Sequence, residues 1–217
     1  MNSGDEKELL NVSRRTLIAS AALVPLSALT ASAQKVGPTP PAQTALSSSE
    51  RRILEKFLGC LVPEDELGPG ANGCGAANYI DAQLAGALAA EKTSFVAGLA
   101  AIENYARASS GGAALEDLPA EKINELISAM ESGSAAGFPN ARAVFSRIRR
   151  LTLEGMFSDP HYGGNSNFAG WDLIRYPGPR LAVGPAEQSM TGQIKPYRKS
   201  AWPQDSSSQS GGGAHGH

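Results

Sequence analysis

Cys60 and Cys74, the only cysteines of this chain, have thirteen residues between them. An even pair of cysteines reads as a disulfide in an oxidising compartment, and closing a loop of that length would contribute about 3 kcal/mol. Free buried thiols, or a bond from one of them to a partner subunit, are the alternatives. Asp159 and His161 stand two residues apart in a polar loop. They could form a small hydrolytic site with His161 as base, although a lone histidine in such a loop equally suits an ordinary surface or hydrogen-bonded role. The terminal His215-Gly216-His217 could touch a metal weakly or be a plain polar tail. Glu64, Asp65 and Glu66 suit a solvated loop or helix-terminal charges.

Larger chemical signatures are absent from the sequence. It holds no dinucleotide fingerprint, no P-loop and no nucleophile elbow. Its His, Cys and carboxylate residues do not fall at metal-ligand spacing. No C-x-x-C-H marks a covalent haem, and two cysteines are fewer than the four ligands an iron–sulfur cluster generally takes. The reading is therefore a chain with no catalytic, cofactor-binding or metal-binding residues of its own. With 19 basic against 21 acidic residues the formal net charge is −2, and nothing in that balance points to nucleic acid or an anionic membrane surface.

The N-terminus carries an address. Arg14 and Arg15 precede an apolar run from Leu17 to Leu29, which ends in Ala31-Ser32-Ala33. A charged start, a short apolar stretch and a small-x-small cleavage site at Ala33 describe a secretory signal peptide. The paired arginines point to the twin-arginine route, which carries proteins across a bacterial membrane already folded. About 20 apolar residues are needed to span a bilayer, and this run is shorter and broken by Pro25. No cysteine follows it to hold a lipid anchor. The expectation is a periplasmic chain, peripheral to the inner membrane only through partners.

Residues 1–33 thus read as signal peptide and 34–46 as a Pro-rich linker. Ser47 to Glu50 offer several helix N-caps. Ile53, Leu54, Phe57, Leu58, Leu61 and Val62 then repeat at helical spacing until Pro63. Glu64 to Gly75 is a loop. Further helices are expected at about 76–90 (Ile80, Leu84, Leu88), 93–108 (Phe95, Leu99, Ile102), from Pro119 to Gly133 (Ile123, Leu126, Ile127, Met130) and from near Pro139 to Phe157 (Phe145, Ile148, Leu151, Met156). No strand-like alternation appears among them. The fold class is all-α, a small irregular bundle of about five helices over 47–180. It carries a long aromatic, Gly-rich loop near its C-terminal end. Residues 181–217 are expected to be an extended or disordered tail, and beyond Pro196 the chain ends in Ser and Gly and cannot bury enough apolar surface to order itself.

The loop from Asp159 to Pro179 reads as neither helix nor central strand. Yet Phe157, Tyr162, Phe168, Trp171 and Tyr176 crowd into and around it. Gly163 and Gly164 free the backbone, and Asn165 and Asn167 can bond it locally. Aromatic anchors on a turn-rich frame suit recognition. The same rings could instead fold back to cover one end of the bundle.

A family resemblance rests on these residues. Glu154-Gly155-Met156-Phe157-Ser158-Asp159-Pro160 with Tyr162-Gly163-Gly164-Asn165, then Gly170-Trp171 and Tyr176-Pro177-Gly178, resembles the gluconate 2-dehydrogenase subunit 3 family. These are the small, or gamma, subunits of membrane-bound flavin-dependent sugar and sugar-acid dehydrogenases. Leu61-Val62-Pro63, Asp65 to Ala71 and Tyr79-Ile80-Asp81 are similar to that family's first loop and second helix, so the likeness runs from about Ser49 to Gly178. The resemblance implies a non-catalytic accessory subunit. Its partner would be a large GMC-type flavoprotein holding FAD, often with a multihaem cytochrome c subunit that passes electrons to quinone. It also implies that the small subunit's twin-arginine signal exports the large subunit with it. No catalytic residue is carried over. Asp159, Tyr162, Gly163, Gly164, Asn165 and Trp171 match the motif and, with Tyr176, are the candidate partner interface; they either touch the partner or shape the loop. Two further readings are a stand-alone periplasmic helical binding module and a small hydrolase using His161.

Overall fold

A computed structural model describes residues 44–180, 182–185, 188 and 195–202. Arg14, Arg15, Ala33, the linker up to residue 43 and the histidines of the tail lie outside the described residues. Among those described there are six α-helices and no strand. These are α1 (Ser48–Leu61), α2 (Ala76–Ala85), α3 (Lys92–Ser109), α4 (Ala120–Ser132), α5 (Ala141–Phe157) and α6 (Ala169–Leu173).

Local chemistry sets the helix ends. The Ser47 hydroxyl accepts the Glu50 N–H at 3.4 Å, and the Glu50 carboxylate accepts the Ser47 N–H at 2.7 Å. This reciprocal capping box satisfies two orphan donors at the start of α1. Pro119 caps α4 with extended backbone, and Gly133 closes it in the left-handed region at φ 79°. α2 stops at Ala85 rather than near residue 90. Gly86 leaves helical geometry there (φ −126°, ψ −105°), and a separate turn of 3-10 helix forms at Ala89–Glu91.

The core is continuous and drawn from every long helix. Leu54, Phe57 and Leu58 of α1 meet Ile80 and Leu84 of α2, Leu99 and Ile102 of α3, Ile123 and Met130 of α4, and Ile148 and Leu151 of α5. Burial of each such side chain contributes about 1.5–3 kcal/mol. α2 has its most extensive packing with α5, so the end of α5 is held against the start of α2. Buried Asp81 of α2 accepts the N–H groups of Ala45 and Leu46, both at 2.8 Å. A buried carboxylate satisfied by two donors in this way ties the start of the domain to its middle. Among the described residues no single helix is long and apolar enough to cross a membrane.

The expected Cys60–Cys74 bridge is not formed; both cysteines are free thiols. Cys74 is fully buried, with its Sγ 3.7 Å from the Pro69 carbonyl. Cys60 lines a shallow groove with Lys56, Gly59 and Asn72. The two thiols therefore occupy different surroundings, one inside the core and one at its margin. Burial raises the pKa of both, at Cys60 against the pull of Lys56, which keeps them protonated and slow to react at neutral pH.

Candidate functional site

The loop after α5 is built around one side chain. Asn165 is completely buried. Its Nδ2 donates to the Ser158 carbonyl at 2.9 Å, and its Oδ1 accepts the N–H of Gly170 at 2.9 Å and of Trp171 at 3.4 Å. Its own N–H reaches the Gly155 carbonyl at 2.7 Å. Asn165 thereby satisfies a carbonyl at the end of α5 and two orphan N–H groups at the start of α6, groups that helix termini leave unpaired. Asn165, Asn167 and Phe168 all sit in the left-handed region (φ 45°, 52° and 60°). Asparagine tolerates that conformation, whereas a bulky Phe there is strained.

Two glycines let the loop lie this close. A Cβ at Gly164 would collide with the Gly155 carbonyl, and one at Gly170 with the Met156 carbonyl. The loop is also fastened to the turn just before α2, where the Ser166 N–H donates to the Cys74 carbonyl at 2.9 Å. The loop, expected to hold no helix, thus contains α6 and two turns of 3-10 helix, Pro160–Tyr162 and Ser166–Phe168. Gly, Asn and Asp disfavour helix by local propensity; here tertiary hydrogen bonds override it.

The aromatic residues divide into two sets. Trp171, 6% exposed, donates its Nε1–H to the Phe157 carbonyl at 2.9 Å and packs between Phe168 and Tyr176, with ring centroids 5.2 and 4.9 Å away. Trp171 and half-buried Phe157 therefore close the end of the bundle. Tyr162 and Tyr176 remain exposed, as does Ile174 at 54%; Leu67 in the facing first loop reaches 83%. Residues of α6 line two shallow grooves here. One holds Leu67, Pro69 and Leu173, and the other Trp171, Ile174, Tyr176 and Pro179. The motif residues Gly164, Asn165, Gly170 and Trp171 face inward, and what they support is an outer apolar surface. Leu67 and Ile174, absent from the sequence-derived candidates, belong to that surface. An apolar side chain inside a turn-rich segment is their only sequence signal.

Asp159 sits at the edge of this surface with both carboxylate oxygens engaged. Oδ1 accepts the His161 N–H at 2.9 Å and the Ser200 hydroxyl at 2.7 Å, and Oδ2 accepts the Ala201 N–H at 2.8 Å. Asp159 caps the 3-10 turn that begins at Pro160. It receives the backbone of His161, while the imidazole lies against Tyr162 and Trp202, each with a ring centroid at 5.3 Å. Nothing in this arrangement favours His161 as a base. Ser200, Ala201 and Trp202 come from the expected tail: residues 195–202 return to the loop as a strap. The aromatics Tyr197 and Trp202 were the sequence signal for it, being unusual in a solvated tail.

Partial burial tends to raise the Asp159 pKa. The hydrogen bonds from Ser200, His161 and Ala201, with the neighbouring imidazole, outweigh that and leave it below the usual carboxylate value. A depressed carboxyl stabilises the closed strap above the pKa of the free carboxyl, about 4. That stability is lost as pH falls through the lowered value. Acidification below the ordinary carboxylate range should therefore speed exchange of the Ala201 amide. The Asp159→Asn variant, which cannot titrate, should show no such acid step. An Ala201 exchange rate that follows only the intrinsic pH dependence would remove Asp159 as the cause.

Among the described residues no group of three or more His, Cys, Asp or Glu side chains is placed to hold a metal ion. Fold and loop together define a small all-α domain whose most elaborated feature is an internally braced loop with an apolar outer face. Residues 48–178 match the family model described as gluconate 2-dehydrogenase subunit 3, and the chain belongs to that family. Comparisons with curated proteins and with solved structures matched nothing. The family name implies association with other subunits of a dehydrogenase complex.

Proposed function

We propose that this chain is the non-catalytic small subunit of a periplasmic, membrane-associated, flavin-dependent dehydrogenase of the gluconate or sugar type. In this reading it binds the GMC-type flavoprotein subunit in the cytoplasm, supports its folding and carries it through the twin-arginine route. FAD belongs to the flavoprotein, and haem c to a cytochrome subunit where the complex has one. The observation that carries the proposal is the loop of this family member. Its motif residues Gly164, Asn165, Gly170 and Trp171 are spent on bracing from within, Leu67, Ile174 and Tyr176 are left in solvent around two grooves, and Tyr162 is exposed beside His161 and Trp202. Exposed apolar clusters rimmed by polar residues mark protein interaction sites. The family's place in a multi-subunit complex supplies the class of partner.

Co-expression with the flavoprotein subunit tests this. The pair Leu67→Asp and Ile174→Asp should weaken binding at least about 100-fold, or roughly 2.7 kcal/mol, because charges are forced into a desolvated contact. The unfolding midpoint of the small subunit should not move, since both side chains are exposed. Flavin-loaded large subunit should then fail to reach the periplasm, as it should with Arg14→Lys and Arg15→Lys. Export of active flavoprotein at the normal level without this chain would refute the proposal.

A further inference from the structure

The family match ends at residue 178, yet residues 195–202 come back to the loop just described. The Tyr197 N–H donates to the Pro177 carbonyl at 2.9 Å. Arg198 pairs with Asp172 of α6, Nε to Oδ1 3.0 Å. Ser200 and Ala201 both bind Asp159, and the Trp202 ring stacks on His161 at an interplanar angle of 21°. Gly178 makes the approach possible: at φ 88° it lies so close to the Tyr197 carbonyl that a Cβ would collide with it.

The strap is fastened almost wholly by polar bonds at the surface. Tyr197 and Trp202 both stay about half exposed, and the Arg198–Asp172 pair is open to solvent. Such bonds exchange readily with water and contribute little net stability, so the strap is held in place without being locked there. Its position is not neutral. Ala201 is part of the wall of the groove that Trp171, Ile174 and Tyr176 line, and Trp202 covers His161 beside exposed Tyr162.

We propose that residues 195–202 are a latch, which occupies part of the flavoprotein-docking surface in the free subunit and is displaced when the flavoprotein binds. The proposal rests on the docking reading above. It also defines the chemistry of the displacing segment: an extended stretch that offers N–H or O–H donors to the Asp159 carboxylate and a flat ring or apolar side chain to His161. A closed latch lowers the apparent affinity by the fraction of subunit that is open.

The test uses the full mature chain, its Ser200→Ala/Trp202→Ala variant and the purified flavoprotein subunit. The variant, which loses one hydrogen bond to Asp159 and the stack on His161, should bind about 3–10-fold more tightly than the wild type. Amide exchange adds a second readout. Tyr197 and Ala201 should be protected in the free wild-type chain and exchange faster in the complex, while the Tyr162 and Tyr176 region becomes slower. Equal or weaker binding by the variant overturns the latch, as does stronger protection of Tyr197 and Ala201 in the complex, which would make the strap part of the interface. Absence of protection in the free chain also overturns it. Binding by neither form overturns the docking reading, and the latch falls with it.

Discussion

Asn165→Ala should destabilise the domain by about 3–5 kcal/mol, measured by chemical denaturation. Three backbone groups lose their partner at once: the buried N–H groups of Gly170 and Trp171 and the partly buried Ser158 carbonyl. Each unsatisfied buried group costs about 1–3 kcal/mol. Holding alanine in the left-handed region, where Asn165 lies at φ 45°, adds roughly 1 kcal/mol or more. Asn165→Gly separates the two causes, since glycine relieves the backbone strain but restores none of the hydrogen bonds. It should recover only the smaller part of the loss. Asn165→Asp keeps the acceptor for Gly170 and Trp171 but turns an oxygen toward the Ser158 carbonyl, so it should remain far below wild type. A loss below about 1 kcal/mol for Asn165→Ala would show that the loop is held by something else.

Trp171→Ala should cost a similar amount, about 3–5 kcal/mol, the usual range for deleting a large buried aromatic. The ring fills the space between Phe168 and Tyr176 and closes the end of the bundle. Trp171→Phe keeps most of that volume but strips the Phe157 carbonyl of its indole donor. Its cost should be nearer 1–2 kcal/mol. The pair also decides between the two roles open to this residue. As a brace, Trp171→Phe should change flavoprotein binding by no more than a few fold, whereas the pair Leu67→Asp and Ile174→Asp should weaken it at least about 100-fold. A large loss of binding in Trp171→Phe, with stability nearly intact, would instead make the indole a direct contact.

Sequence and structure contribute unequally to the fold and to the site. The five long helices were legible because each carries its own apolar stripe, and two of them also signal their ends: α1 by the Ser47–Glu50 capping box, α4 by Pro119 before it and Gly133 after it. The sixth helix was not. Ala169 to Leu173 form a helix only because Asn165, four residues upstream, and the carbonyls of α5 hold the chain there. Local propensity contains no such information. The cysteines misled for a related reason. Spacing and compartment argued for a bridge, but the core took the Cys74 side chain inward while Cys60 stayed at its margin.

The site shows the same division. From the motif Tyr162-Gly163-Gly164-Asn165 and Gly170-Trp171, the sequence determined that a specialised loop follows α5 and, through the resemblance, to which family the chain belongs. These depend on residue identity and order, which a sequence states directly. Only the tertiary structure decided which way each residue faces. It placed Asn165 and Trp171 inside as braces, and left Leu67, Ile174, Tyr162 and Tyr176 outside as candidate contacts. It also returned Ser200 to Trp202 onto Asp159 and His161. Inward and outward are set by hydrogen bonds and packing between segments remote in the chain, such as Asp159 with Ala201 or Ser166 with Cys74, and no local pattern encodes them.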